Sequence, residues 1–435
     1  MGILPFLQPN LETFIFVGSF GLTRDELSQM TTLCPNLRVL QLAPMDMSNH
    51  RALVVKPNPD PIDSHAFPSF LDNFRHLKSL TLGRKLLSSF VSAALTGLLP
   101  GVACQLEELI LINIESESLP SHTQTILEAC TSLHKFEIRR TTSGPLIPMG
   151  MFMRGLATTP SLKHLRLDHD IVERDVEDCV GRHDAPFENL ESLALKGEML
   201  PVSRFLSLSM NMLTRLQLVV SDQAHHICPS MSHLQSLTYL NLVIGIDRHE
   251  SWEEGIRFRP GPSDWQATQA DMQALSTLNN LRSLSMRPMN INLTAPWMTD
   301  DYFTTWQTRF PHLQDLDFDI ECPLSFSSVV ALSNSHPSLR ICKLLWIQEI
   351  EDWRDLPSTN FVNLQRLKLN LVMEPATGQF RAFLLEKFNM IAGSMGMAPL
   401  RLDSTAEDPY RRPGRGADEL RVTNLDVRAA APTEY

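Results

Sequence analysis

Three aspartates at alternate positions, Asp315, Asp317 and Asp319, form the most suggestive chemical spacing in the chain. Alternate residues of a strand share a face, so the three carboxylates would line up on one side. Such a row can hold a cation or supply an acid–base pair. Core residues flank each of them, however, and no glycine-containing calcium loop of the EF-hand kind is present. His225, His226, Cys228 and His233 also lie close together. Their spacing fits no closed tetrahedral zinc motif, and a second cysteine pair is missing. No nucleophile elbow, phosphate-binding loop, dinucleotide glycine fingerprint or HExxH occurs. These patterns predict no enzyme, no cofactor and no metal.

What positions these residues is a repeat. A leucine, two variable residues, an apolar residue, one variable residue and a further apolar residue recur along the chain. Clear copies are NLRVLQL from Asn36, HLKSLTL from His76, QLEELIL from Gln105, SLKHLRL from Ser161, NLESLAL from Asn189, MLTRLQL from Met212, SLTYLNL from Ser236 and NLQRLKL from Asn363. Looser copies begin at Asn10, Ser132, Asn280, His312 and Ser338. About thirteen units result, at an average spacing of about 29 residues. That is the upper end of the range for leucine-rich repeats.

The alternation puts the apolar residues on one face of a short strand. Leu37, Leu40 and Leu42 point inward, while Val39 and Gln41 point outward. Between strands lie helix signals. Thr23-Arg24-Asp25-Glu26 is a capping box for a helix ending near Leu33, and residues 86–99 carry an apolar helical face that stops at Pro100-Gly101. Prolines 35, 160, 311 and 337 precede strands, where they end the helix and favour extended backbone. Cys34, Cys104 and Cys130 sit just before strands and read as small buried apolar residues. The predicted fold class is α/β: a leucine-rich-repeat solenoid, or horseshoe, with parallel strands on the concave face and helices on the convex face. The repeats lack a regular asparagine after the strand, so irregular coils are expected.

The register assigns the outward side chains. Lys135, Glu137 and Arg139, then His164, Arg166 and Asp168, then Lys196, Arg215 and Gln217 make a mostly basic stretch. Asp315, Asp317 and Asp319 follow as an acidic band, and Lys343, Arg366 and Lys368 return positive charge. Banded charge can steer and register a complementary partner. A protein partner on the concave face is therefore expected. Nucleic acid is not, because the net charge of −11 opposes the dense positive field it needs.

Three spacings are long, after the strands starting near Leu37, Leu237 and Leu281. Insertions of this kind map to loops, often on the binding side. Trp252, Trp265 and Trp297, in or beside the last two, are candidate contact residues, tryptophan being enriched at binding hot spots; they can equally fill gaps in the core. The solenoid spans residues 1–375, a capping helix 376–402, and a polar, disordered tail 403–435. The seven cysteines include no CxxC pair. Together with the absence of a signal-like leader and of any apolar run near the ~18 residues that span a bilayer, they predict a reduced protein of the cytoplasm or nucleus, with no membrane association.

The CPNLRVLQL and CTSLHKFEI segments that lead into strands resemble the repeat regions of fungal F-box proteins, over roughly residues 10–375. In that family the repeats hold a substrate and an N-terminal F-box docks to the adaptor of a cullin-RING ubiquitin ligase. The resemblance implies such an adaptor as a second partner. The sequence departs from the family at its start. Leu4-Pro5 is followed by a repeat strand at Leu11, which leaves no room for the F-box, so a lost or truncated F-box is expected.

Overall fold

A computed structural model of the chain describes residues 7–16, 29–30, 32–42, 74, 76–83, 103–112, 123–139, 149–157, 159–180, 186–208, 210–221, 227–245, 264–289, 291–347, 363–373 and 421–428. These fall into two compact units. One comprises Met1–Leu213 with His249–Ile256, the other Thr214–Arg248 with Arg257–Tyr435.

The first unit holds β1 (Thr13–Phe16), β2 (Val39–Leu42), β3 (Ser79–Gly83), β4 (Glu108–Ile112), β5 (Lys135–Arg139), β6 (His164–Ile171) and β7 (Ser192–Gly197). Each strand pairs in parallel with the next. The links carry α1 (Thr123–Ala129), α2 (Gly150–Ala157), α3 (Glu173–Val180) and α4 (Met199–Leu206), while a 3-10 turn, Ala103–Gln105, leads into β4. The fold is thus a solenoid-like α/β repeat around a parallel sheet.

Every one of these strands begins two residues after the first leucine of its motif. That leucine, and the two apolar positions after it, form rows through the unit. Leu37, Leu77, Leu106, Leu133, Leu162 and Leu190 make the first row, each at most 1% exposed. Leu80, Leu109, Phe136, Leu165 and Leu193 lie in direct register behind Leu40. The helices close over these rows from the same side. Phe152 of α2 packs on Phe136 at 5.6 Å, and Phe205 of α4 packs on Phe187 at 5.2 Å. α1 and α2 approach closely because Gly155 has no side chain. A Cβ there would stand 2.8 Å from Leu127 Cβ.

A polar seam accompanies the core. Where asparagine or serine stands before the first leucine, several of these residues donate a side-chain hydrogen to a backbone carbonyl of the preceding repeat. Asn36 donates to Pro9 O (3.0 Å), Ser132 to Cys104 O (2.7 Å), Ser161 to Thr131 O (2.7 Å) and Asn189 to Pro160 O (3.0 Å). The residue after the leucine lends its own carbonyl to two amides of the next repeat. Glu107 O, for example, accepts from His134 N at 2.8 Å and Lys135 N at 3.0 Å. Such bonds contribute about 0.5–1.5 kcal/mol each.

The second unit repeats the arrangement. β8 (Arg215–Val220), β9 (Tyr239–Gly245), β11 (Ser283–Met289), β13 (Asp315–Phe318), β14 (Ile341–Ile347) and β15 (Arg366–Met373) are parallel neighbours in that order. The insertions supply β10 (Asp264–Gln266) and β12 (Asn292–Thr294), which pair with each other in a separate two-stranded sheet. The helices are α5 (Gln269–Leu275), α6 (Asp300–Gln307) and α7 (Phe326–Ser335), and a 3-10 turn, Cys228–Met231, stands between β8 and β9. Thr268 and Asp271 form a capping box at α5. Thr299 caps α6, whose first turn carries Asp300 and Asp301 where the helix dipole favours them. The seam continues in Asn280 to Gln235 O (2.8 Å) and Asn363 to Pro337 O (2.9 Å).

Three residues before the first leucine lies a further buried row. Leu234, Leu278 and Phe310 occupy it in the second unit, and His336 takes the last place at 2% exposure. The imidazole lies against the Gln307 backbone, and among the described residues the buried side-chain amide of Gln307 has no hydrogen-bond partner. Burial pushes the His336 pKa down, against a weaker upward pull from the Gln307 backbone. The folded state therefore favours neutral imidazole. Its contribution is complete above the ordinary value of about 6.5 and declines as pH falls through the depressed folded value. Acidification from pH 7.5 to 5.5 is expected to lower the melting temperature less in His336→Leu than in the wild type. Equal shifts would show that His336 does not carry this sensitivity.

One segment differs from the sequence expectation. Within 403–435, assigned above to a disordered tail, Arg421–Arg428 forms β16 and pairs antiparallel with β15. Its alternation explains this: Leu425 and Val427 fall opposite Leu369 and Leu367, while Asp426 falls opposite Lys368. The predicted helix at 86–99 and the capping helix at 376–402 lie outside the described residues, as do the capping box at 23–26 and the first long insertion. Of the three cysteines expected to be buried before strands, Cys34 and Cys130 are buried and Cys104 is exposed.

Candidate partner-binding surface

Because the leucine positions of each strand turn to the core, the alternate ones form an outward face that carries the charged residues, with apolar Ile15, Val39 and Ile110 among them. In the first unit this face is charge-balanced. Glu137 on β5 sits between Lys135 (3.4 Å) and Arg139 on the same strand. Burial opposes ionisation of Glu137, but the hydrogen bonds and charges of those two residues outweigh it and hold its pKa below the usual range. On β6, Arg166 Nε donates to Asp168 at 2.9 Å, a bond that raises the arginine's pKa. Lys196 on β7 is buried and 3.8 Å from Asp170. Glu108 accepts from Ser79 Oγ at 3.0 Å. Four cations thus meet four carboxylates on these strands. The lead-in positions are balanced too, with Lys78 paired to Glu107 (2.6 Å) and Lys163 to Glu191 (2.7 Å). His164 stands exposed at the start of β6. The β5–β7 part of the stretch that reads as mostly basic in sequence is therefore neutralised locally, by acids two residues away or on the neighbouring strand.

The second unit differs. Asp317 is buried and bridges Arg287 of β11 and Lys343 of β14, the latter at 2.7 Å. Burial raises the pKa of half-buried Asp315, against Arg340 and Lys343. Asp319 lies one residue beyond β13, its backbone N–H bonded to Met286 O at 2.9 Å. The three aspartates therefore act as a brace and strand end, each beside cations or backbone. Arg215 is exposed and lies over the Tyr239 ring, 4.7 Å from its centroid, a cation–π geometry. Arg366 and Lys368 are half-buried on β15.

The chain matches no family model and no curated protein. The site thus rests on its own geometry. Among the described residues no cluster of three or more His, Cys, Asp or Glu is arranged to hold a metal ion, and no helix is long and apolar enough to cross a membrane.

The tryptophans fall into the packing of the second unit. Trp265 is 4% exposed on β10, which removes its ring from a contact surface. Trp297 donates its indole hydrogen to Ala267 O at 2.7 Å and meets Tyr302 edge-on at 5.0 Å. Trp306 is buried among Phe303, Phe310 and Phe318 and donates to Met272 O at 2.9 Å. Trp252 lies outside the described residues. Sequence reasoning missed Arg287, although it occupies an outward position of β11 in SLSMRPM. It also missed the cations Arg282 and Arg340 in the lead-ins to β11 and β14.

Proposed function

We propose that the chain is a leucine-rich-repeat solenoid of horseshoe form, acting as a non-catalytic recognition module that binds a partner protein on its concave strand face. One observation supports this above the others. Strand after strand keeps its leucines on one side and presents polar side chains at fixed register on the other, giving a preorganised contact area that loses little entropy on binding. Ordered repeats of this kind offer extended surfaces. Among the described residues the cysteines form no disulfide, which suits a reducing compartment, cytoplasm or nucleus.

Neutral obstruction tests the reading. Gln41→Trp and Gln217→Trp place bulk on the outward face without changing charge, and Glu128→Trp places it on the exposed side of α1 with the loss of one negative charge. Proteins captured from the native organism by the wild type and by Glu128→Trp are expected to be lost from one or both strand variants, with melting temperatures unchanged. Capture that survives both strand variants removes the concave face as the binding site. The CPNLRVLQL lead-in favours a second reading, a substrate-recognition subunit of a cullin-RING ligase. Reproducible binding of the purified adaptor to the full chain supports it, and no binding removes it.

A further inference from the structure

We propose that the partner contacted by the second unit presents an extended acidic segment, which lies across strands β8 to β15. The proposal rests on the concave-face reading above and names the chemistry of its occupant. The observation behind it is the contrast between the two units. Outward strand positions of the second unit carry Arg215, Arg287, Lys343, Arg366 and Lys368 against Asp315 and Asp317, with Asp319 just beyond β13. Arg282 and Arg340 add two exposed cations at the lead-ins, where Thr214, Thr238, Gln314 and Gln365 bring no acid. Among the described residues of β8 to β15 and their lead-ins, cations therefore exceed carboxylates by four, within a chain whose net charge is −11. In the first unit the same positions balance, with Glu137 shared by Lys135 and Arg139, Glu108 in register with Lys135, Asp168 beside Arg166 and Asp170 beside Lys196.

The spacing suits an extended peptide. Neighbouring strands lie about 4.8 Å apart, and an extended chain advances about 3.3 Å per residue. Cations two strands apart, such as Arg287 on β11 and Lys343 on β14, are therefore matched by acidic residues about three positions apart. Asp317 holds both cations in place before a ligand arrives, which removes part of the ordering cost. The same buried carboxylate interrupts the positive field. A polyanion with a charge on every unit gains less from such a surface than from the dense positive field nucleic acid requires. The registered pattern therefore favours an acidic peptide over a nucleic acid.

Fluorescence anisotropy of the full chain with a labelled ten-residue peptide carrying glutamate at every third position, with serine between, tests this, beside the same peptide with lysine for glutamate and a ten-nucleotide DNA strand. The glutamate peptide is expected to bind, the lysine peptide to remain free, and affinity to drop at least fivefold between 50 and 300 mM salt, as screening predicts. The double substitution Arg340→Glu, Lys368→Glu is expected to weaken binding at least fivefold, and Lys78→Gln in the first unit to leave it unchanged. The milder Arg340→Gln alone keeps the test decisive should the double variant fold poorly. Equal affinity in these variants, or no binding at 1 mM peptide, overturns the proposal. Tighter binding of the DNA strand replaces it with a nucleic-acid site. Binding that emerges only when Glu349, Glu351, Asp352 and Asp355 are changed to serine assigns the face to the chain's own acidic segment. If the obstruction variants still abolish partner capture while the glutamate peptide fails to bind, only the acidic chemistry falls, and the concave-face reading stands.

Discussion

Leu165→Ala is expected to lower the unfolding free energy by about 2–5 kcal/mol. Leu165 is 2% exposed and lies in register between Phe136 on β5 and Leu193 on β7. Truncation leaves a void that the neighbours cannot fill. Phe136 is held by Phe152 of α2, and the strands are held by their ladders. The lost transfer free energy and the residual cavity therefore add. Urea unfolding followed by far-ultraviolet circular dichroism measures the effect as a lower midpoint. An unchanged midpoint would mean that Leu165 does not face the core, and the whole register would have to move by one residue.

Gly245→Ala is the second large effect, through the backbone instead of a cavity. Gly245 ends β9 at φ +151°, a conformation that side-chain-bearing residues rarely adopt. A Cβ there would stand 1.9 Å from Met289 O and 2.7 Å from Met289 C. These are backbone atoms, so no side-chain rotation relieves the contact. Backbone strain alone costs about 1–3 kcal/mol, and separating the ends of β9 and β11 adds lost ladder bonds. Faster amide exchange at Val243–Gly245 and Met289 locates the damage. A neutral or stabilising Gly245→Ala would refute this account, since relief of unfolded-state entropy would then exceed the strain.

The strand positions were legible because they rest on period-two alternation that thirteen segments share. In each, the strand starts two residues past the first leucine, from Thr13 in β1 to Arg366 in β15. The charge character of the face was only half legible. Lys135, Arg139 and Arg166 are outward as expected, but their neutralisation depends on which carboxylate a flexible side chain reaches, and spacing alone does not report that. Glu137 carries two of them at once. The two alternatives left open for the tryptophans part for a similar reason. An insertion brings both a loop and the filling beneath it, and Trp265 belongs to the filling. β16 was hidden because its eight residues stand beyond a polar stretch rich in proline and glycine. The seam had a visible signal, asparagine or serine just before the first leucine, but attention to the position after the strand passed over it.

That seam also bears on how such a chain grows. Asn280 finds Gln235 O across 45 residues, with an insertion and β10 between them, as readily as Asn189 finds Pro160 O across 29. The acceptor in each case is a main-chain carbonyl, which every amino acid carries. The joint between repeats thus asks for one small polar residue and nothing from its neighbour's identity. Gene segments coding for single coils can be duplicated, lengthened or diversified without re-evolving a matching surface. The sheet face is free to drift in charge, as it has between the two units, while the spine behind it stays the same.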